Sequence, residues 1–233
     1  MHIEQLPRPP GQPLAMLRLM QLVSPALLVG GFTYSQGLEY AVEAGWVHDP
    51  ESLRDWLLGL LDDSVAGLDI PVLARLYAAC ACGDCDAMRN WGDFLLASRE
   101  TTELRQEERQ RARALTRLLV DLEVAEARRW REVLEQCQAA PFALAASRWG
   151  IPLRDASLGY AWSWLENMVA AAIKLVPLGQ TDGQRLELVL AEAIPAAVAR
   201  GLRLADHELG GSAPAMALAS SLHETQYTRL FRS

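Results

Sequence analysis

The chain has 233 residues, 51% of them hydrophobic and 22% charged, with a formal net charge of −7. That length can bury a sizeable core without disulfides, and the composition argues against disorder over most of the chain. The acidic balance disfavours nucleic-acid binding through a general positive field. The 22 basic residues include a single lysine, Lys174.

Strand signals are almost absent, and the segments read with helical spacing and helix punctuation. Residues 1–13 hold four prolines and no apolar run, which predicts a flexible lead-in and no secretory signal. A short apolar helix follows over 14–23. Pro25, Gly30 and Gly31 interrupt the pattern, and helix resumes over 36–46. Asp49, Pro50 and Glu51 are a helix start, for a helix running to about residue 65. Asp69-Ile-Pro reads as the start of another, and Asp84 as the cap of the next. Residues 100–126 are long and charged. Glu103, Glu107 and Arg111, and Arg109, Arg113 and Arg117, lie along one face by four-residue spacing. A helix over 131–149 is closed by Gly150 and Pro152. Residues 155–176 are apolar and Ala-rich, which predicts burial or an interface. Thr181 to Gln184 reads as a capping box for a helix that Pro195 should kink or split. Ser212-Ala-Pro starts the last helix.

These elements, about nine or ten helices, make one all-α domain over 14–233, with 224–233 as a tail. No run of apolar residues reaches the roughly 20 that a membrane helix needs. Together with the absent signal this predicts a cytoplasmic protein with reduced thiols.

Sites of chemistry are few. Gly30-Gly31 is followed by Phe-Thr-Tyr-Ser, so no phosphate-binding loop is present, and no nucleophile elbow occurs. Cys80, Cys82 and Cys85 are a possible metal cluster, since thiolates bind soft ions. A spacing of two on a helix points Cys80 and Cys82 apart, however, and structural cysteines are the alternative. His2, His48, His207 and His223 form no metal-binding pair. Lys174 stands among apolar neighbours, either snorkelling to water near a helix end or held as a functional charge. Two further segments are rich in aromatics and polar side chains. One is GGFTYSQGLEY, with Phe32, Tyr34, Gln36 and Glu39. It is either a tight helix–helix connection packed closely at Gly37 or a rigid loop displaying Phe32 and Tyr34. The other is the tail QYTRLFRS, with Tyr227, Arg229 and Phe231, residue types favoured as interface anchors.

Five segments carry a family resemblance: LRLMQLVSPALLVGGFTYSQGLEYAVEAGWV, DIPVLARLYAAC, SRETTELRQEER, SLGYAWSWLENMVAAAIKLVPLGQTDGQ and HETQYTRLFRS. In these the chain resembles the urease accessory protein UreF family. Leu28 departs from that family's pattern, which usually has proline there, a change expected to loosen the turn before Gly30. The resemblance implies an all-helical, dimerising scaffold without catalytic residues. It implies a protein that binds UreD (also called UreH), recruits the GTPase UreG and helps deliver nickel to apo-urease, whose active-site lysine is carbamylated. Nickel would pass through the complex and not be held stably. The resemblance also puts Phe32 and Arg229 at a partner surface.

The expected partner-binding residues are therefore Phe32, Tyr34, Gln36, Glu39, Lys174, Tyr227, Arg229 and Phe231, with no catalytic, cofactor or metal residues. The expected partners are UreD, UreG, apo-urease and a second copy of the chain, and neither nucleic acid nor membrane. Two other readings stand beside this one. They are an enzyme acting on a small molecule in the helical core, and a small metal-storage protein using Cys80, Cys82 and Cys85.

Overall fold

The computed structural model describes residues 12–27 and 30–232. The expected lead-in up to residue 11, and the turn that Leu28 was expected to loosen, lie outside the described residues. Helix α1 (Gln12–Leu22) comes first. A 3-10 turn (Gly31–Thr33) then leads, through Gln36 (φ 53) and Gly37 (φ 80), into the short α2 (Leu38–Glu43). The left-handed conformation at Gly37 suits glycine, and so does its packing. A Cβ there would lie 2.9 Å from the backbone nitrogen of Ser220 and 3.0 Å from Cβ of Ala219.

Asp49 caps α3 (Pro50–Leu60) as expected: its side chain accepts from the Ser52 amide, and Ser52 returns a bond to the Asp49 backbone. The chain does not stop near residue 65. A π-helical stretch (Leu61–Asp69) carries it directly into α4 (Ile70–Cys82), so that residues 50–82 are one continuous helix of 33 residues. Asp69 is helical and caps nothing; its carboxylate turns inward to Arg99. The widened π turns lie where α11 (Ile194–Gly201) comes closest, with Gly201 tight against the carbonyl of Ala66. By average hydropathy, 1.5 over its most apolar window, this helix is long and apolar enough to cross a membrane. Asp55, Asp62, Asp63, Asp69 and Arg75 interrupt it, so it holds no unbroken apolar run of that length. Leu53, Leu57, Leu61, Leu68, Ile70, Leu73 and Leu76 are all buried, which makes it a core helix of this fold.

Asp84 caps α5 (Cys85–Ala97) and Thr101 caps α6 (Thr102–Asp121). The two triplets expected on one face of α6 lie on opposite ones: Glu103, Glu107 and Arg111 are buried, whereas Arg109, Arg113 and Arg117, six positions out of step with them, are exposed. The expected helix over 131–149 is two helices, α7 (Arg131–Leu134) and α8 (Ala139–Arg148). Between them the amide of Gln138 donates to the Glu108 carboxylate of α6 (2.9 Å). Gly150 (φ 67) follows α8, in keeping with a helix stop there.

α9 (Leu153–Leu175) is the central helix, in contact with α1, α2, α3, α4, α8, α11 and α10 (Gln180–Ala191). Its small buried residues, Ala156, Ala161, Ala171 and Ala172, let neighbouring helices approach closely. Gly179, and not the expected Thr181, precedes α10, whose first turn already includes Thr181 and Asp182. The break before Pro195 is present, between α10 and α11. A last helix, α12 (Pro214–His223), packs on α2, and the tail follows it. The architecture is all-α: one globular domain with no strand among the described residues, and nine helices of seven residues or more when residues 50–82 count as one.

Candidate partner-binding site

The two aromatic, polar segments that the sequence singles out meet in space. Glu39, on α2, is buried and its carboxylate receives the tail: the amide of Leu230 donates to Oε1 (2.6 Å) and that of Phe231 to Oε2 (2.9 Å). These are charge-assisted bonds, stronger than neutral ones. The amide of Arg232 donates to the Thr33 carbonyl (2.8 Å), which joins the tail to the 3-10 turn as well. Phe231 is buried, and the ammonium of Lys174 lies 5.5 Å from its ring centre. Lys174 itself is exposed at the end of α9. Its cation therefore stays hydrated while it covers the aromatic ring.

A second carboxylate faces the first. Glu103, in the first turn of α6, accepts from Nη1 of Arg229 (2.8 Å) through Oε1 and lies 2.7 Å from Nδ1 of His223 through Oε2. The opposite ring nitrogen, Nε2, is 3.1 Å from Oε2 of Glu39. His223 is completely buried at the end of α12, where a helix C-terminus favours a cation. Glu224 reaches back to cap α6, accepting from the amides of Thr102 (2.9 Å) and Glu103 (3.2 Å).

Of the expected site residues, Tyr34 is buried and does not project from a loop. Its hydroxyl donates to Oε1 of Gln110 (2.5 Å), the same oxygen that accepts from Arg232 (3.2 Å). Burial raises its pKa above the ordinary value, with the Glu107 carboxylate adding to the effect. Gln36 joins the interior instead of facing outward: it donates to Glu107 (3.1 Å) and accepts from the Trp164 indole (3.0 Å). Glu39 and Phe231 are likewise internal. The side chain of Phe32 lies outside the described residues. The exposed members are Lys174, Tyr227 and Arg229, together with Leu230, which the sequence reading did not single out. Arg229 pairs with Glu103, and the cation over the Phe231 ring is Lys174.

Sequence reasoning weighed His223 only as a metal ligand and Glu103 only as a position in a helix row. His223 forms no metal-type histidine pair, and its partners are 120 and 184 positions away. The available signal was its place in HETQYTRLFRS, directly before the tail.

Beneath this surface lies a buried ion cluster. Arg99 donates to Asp69, to Oε1 of Glu108 through Nε (3.0 Å) and Nη2 (2.7 Å), and to Ser64 (3.3 Å). Burial pushes the Asp69 carboxyl up to about 6, against the pull of the Arg99 guanidinium. Next to the cluster, Glu107 pairs with Arg111 (2.8 Å). The cluster ties the long helix, α6 and the loop before α8 together.

The cysteines do not converge. Cys80 is buried with its sulfur 3.4 Å from that of Met88, and burial pushes its thiol up to about 12, while Cys82 is exposed. Among the described residues no group of three or more His, Cys, Asp or Glu is arranged to hold a metal ion.

A family model described as UreF matches residues 47–191. A urease accessory protein UreF of Pseudomonas putida (strain W619) is 55% identical over 220 residues, covering 94% of this chain and 98% of the relative. That of Alkalilimnicola ehrlichii is 54% identical, covering 94% and 96%, and that of Alcanivorax borkumensis 52% identical, covering 94% and 98%. By the family match and by relatives at this identity over nearly their whole length, the chain belongs to the UreF family of urease accessory proteins.

Proposed function

We propose that this chain is a non-enzymatic scaffold of urease maturation. It binds UreD, recruits the GTPase UreG through its C-terminal tail, and so couples GTP hydrolysis to nickel delivery into apo-urease. Membership of a family of urease accessory proteins supports the coarse role. The observation that carries the finer reading is the tail. A buried carboxylate, Glu39, anchors its backbone, while Tyr227, Arg229 and Leu230 remain exposed on it. An anchored segment presenting a tyrosine, an arginine and a leucine meets a partner with little ordering cost.

In this reading nickel is cargo and not a resident cofactor, and the chain works in the cytoplasm as a homodimer. The exposed apolar face of α1, with Leu14, Met16, Leu17 and Met20, is surface suited to a protein contact. The test is reconstitution of urease activation in cells expressing urease with all its accessory proteins. Truncation of this chain after residue 226 is expected to abolish activation while the purified fragment keeps its helical content. Full urease activity with the truncated chain would reject the role given to the tail.

A further inference from the structure

His223 has a carboxylate oxygen at each ring nitrogen: Glu103 at 2.7 Å from Nδ1 and Glu39 at 3.1 Å from Nε2. A neutral imidazole has one N–H and one lone pair. It would set that lone pair against one of the two carboxylates, with no water to intervene, since the ring is completely buried. A ring protonated on both nitrogens satisfies both contacts. The charges then balance, with two carboxylates against one imidazolium and one guanidinium, that of Arg229. The oxygens of the two carboxylates hold the tail as well. Glu39 takes the amides of Leu230 and Phe231, and Glu103 takes Arg229. One ring therefore sits between the two carboxylates that hold Arg229, Leu230 and Phe231.

We propose that His223 is the positioning residue of the tail: with a proton on each ring nitrogen it holds Glu39 and Glu103 in the orientation that docks Leu230 and Phe231 and presents Arg229. Loss of one ring proton leaves two buried carboxylates and the Arg229 guanidinium on Glu103, and the tail is released. The charged groups facing this centre are Glu39 from α2, Glu103 from α6 and Arg229 from the tail. Beyond them lie Glu224, which caps α6, and Lys174 of α9, over the Phe231 ring. Recruitment of a partner by the tail thereby becomes sensitive to protons. That consequence rests on the proposed function, but the positioning role does not.

The experiment uses the isolated full chain with His2, His48 and His207 replaced by Gln, which leaves His223 as the sole histidine. Ring nitrogen chemical shifts report its protonation, and hydrogen exchange of the Leu230 and Phe231 amides reports docking, both followed across a pH titration. The proposal expects both ring nitrogens protonated while the amides are protected, and loss of protection along the same titration curve as loss of the ring proton. In Glu39→Gln, nearly equal in shape, the two amides should exchange at least about tenfold faster with helical content unchanged. A neutral ring in the docked chain overturns the proposal. So does amide protection that persists after the ring proton is lost, or protection in Glu39→Gln equal to that of the parent. No partner is present in this experiment. A failed UreG contact with a titrating latch would reject the proposed function alone, and a silent latch would reject this inference alone.

Discussion

Arg99 and Glu108 meet at 2.7 Å in the interior, nine positions apart across the turn that separates α5 from α6. The same guanidinium binds Asp69 on the continuous helix over residues 50–82. Removing it would leave two buried carboxylates uncompensated, and loss of one partner from a buried ion pair costs about 3–5 kcal/mol. Arg99→Met should lower the unfolding free energy by that amount in urea denaturation. Combining it with Asp69→Asn and Glu108→Gln should recover part of the loss. A single-variant loss below about 1 kcal/mol would mean that the cluster is not the internal clamp described above.

Asp69 should give stability a distinct pH dependence. Its carboxyl holds its proton up to about 6 in the folded chain against an ordinary 3.8. Between those values the folded chain binds more protons at this site than the unfolded chain does. The stability it contributes is therefore fully present below about 4, falls as pH rises towards about 6, and is flat above. Asp69→Asn should remove that component, so the gap in melting temperature between variant and parent should change between about pH 4 and about pH 6 and stay constant at higher pH. A gap that is constant across the whole range would contradict the assignment.

Gly37 joins α2 to α12 by direct backbone contact. Gly37→Ala places a methyl group 2.9 Å from the Ser220 nitrogen at a φ of 80. The expected loss is about 1–3 kcal/mol from strain and displacement together. The same change should speed hydrogen exchange in the tail, because Glu39 and His223 sit on the two helices that are pushed apart. Thermal denaturation and exchange at the Leu230 amide check both parts.

Lys174 can be separated from simple solubility by two substitutions. Its ammonium covers the Phe231 ring, an interaction worth about 0.5–1 kcal/mol at an exposed site. Lys174→Ala should preserve the fold, loosen Phe231 and lower the yield of active urease. Lys174→Arg should be partly tolerated, because the guanidinium can still lie over the ring but is wider and planar. Equal urease activation by the parent and the alanine variant would reduce Lys174 to a solvated helix end.

Local chemistry was legible in the sequence wherever one helix end decided the outcome. Asp49 with Ser52, Asp84, and the interruption at Pro195 each behave as their residue types require. Two of the misread boundaries share a physical cause, a partner distant in sequence. Asp69-Ile-Pro has the residues of a helix start, yet the Asp69 carboxylate is taken by Arg99, thirty positions on, and the helix runs through. The expected helix over 131–149 breaks where the Gln138 amide goes to Glu108, also thirty positions away. The candidate site divides the same way. Composition alone marked the segments around Tyr34 and Arg229. That they meet depends on Glu39 reaching the Phe231 amide across 192 positions, and no spacing rule reveals that. Tyr34, Glu39 and Phe231 carry interface-type chemistry, but here they build the support of the site and not its face.

The central claim is that the exposed, anchored tail recruits UreG. Arg229 pairs with Glu103 through one nitrogen, and its side chain is 41% exposed. Truncating a hot-spot arginine costs about 2 kcal/mol or more, roughly a thirtyfold loss of affinity. The most direct measurement is co-purification of UreG with the preformed complex of this chain and UreD, comparing the parent with Arg229→Ala and monitoring fold by circular dichroism. The account predicts an intact complex with UreD, unchanged helical content and UreG recovery reduced by at least about tenfold. Normal recovery of UreG with Arg229→Ala would contradict it.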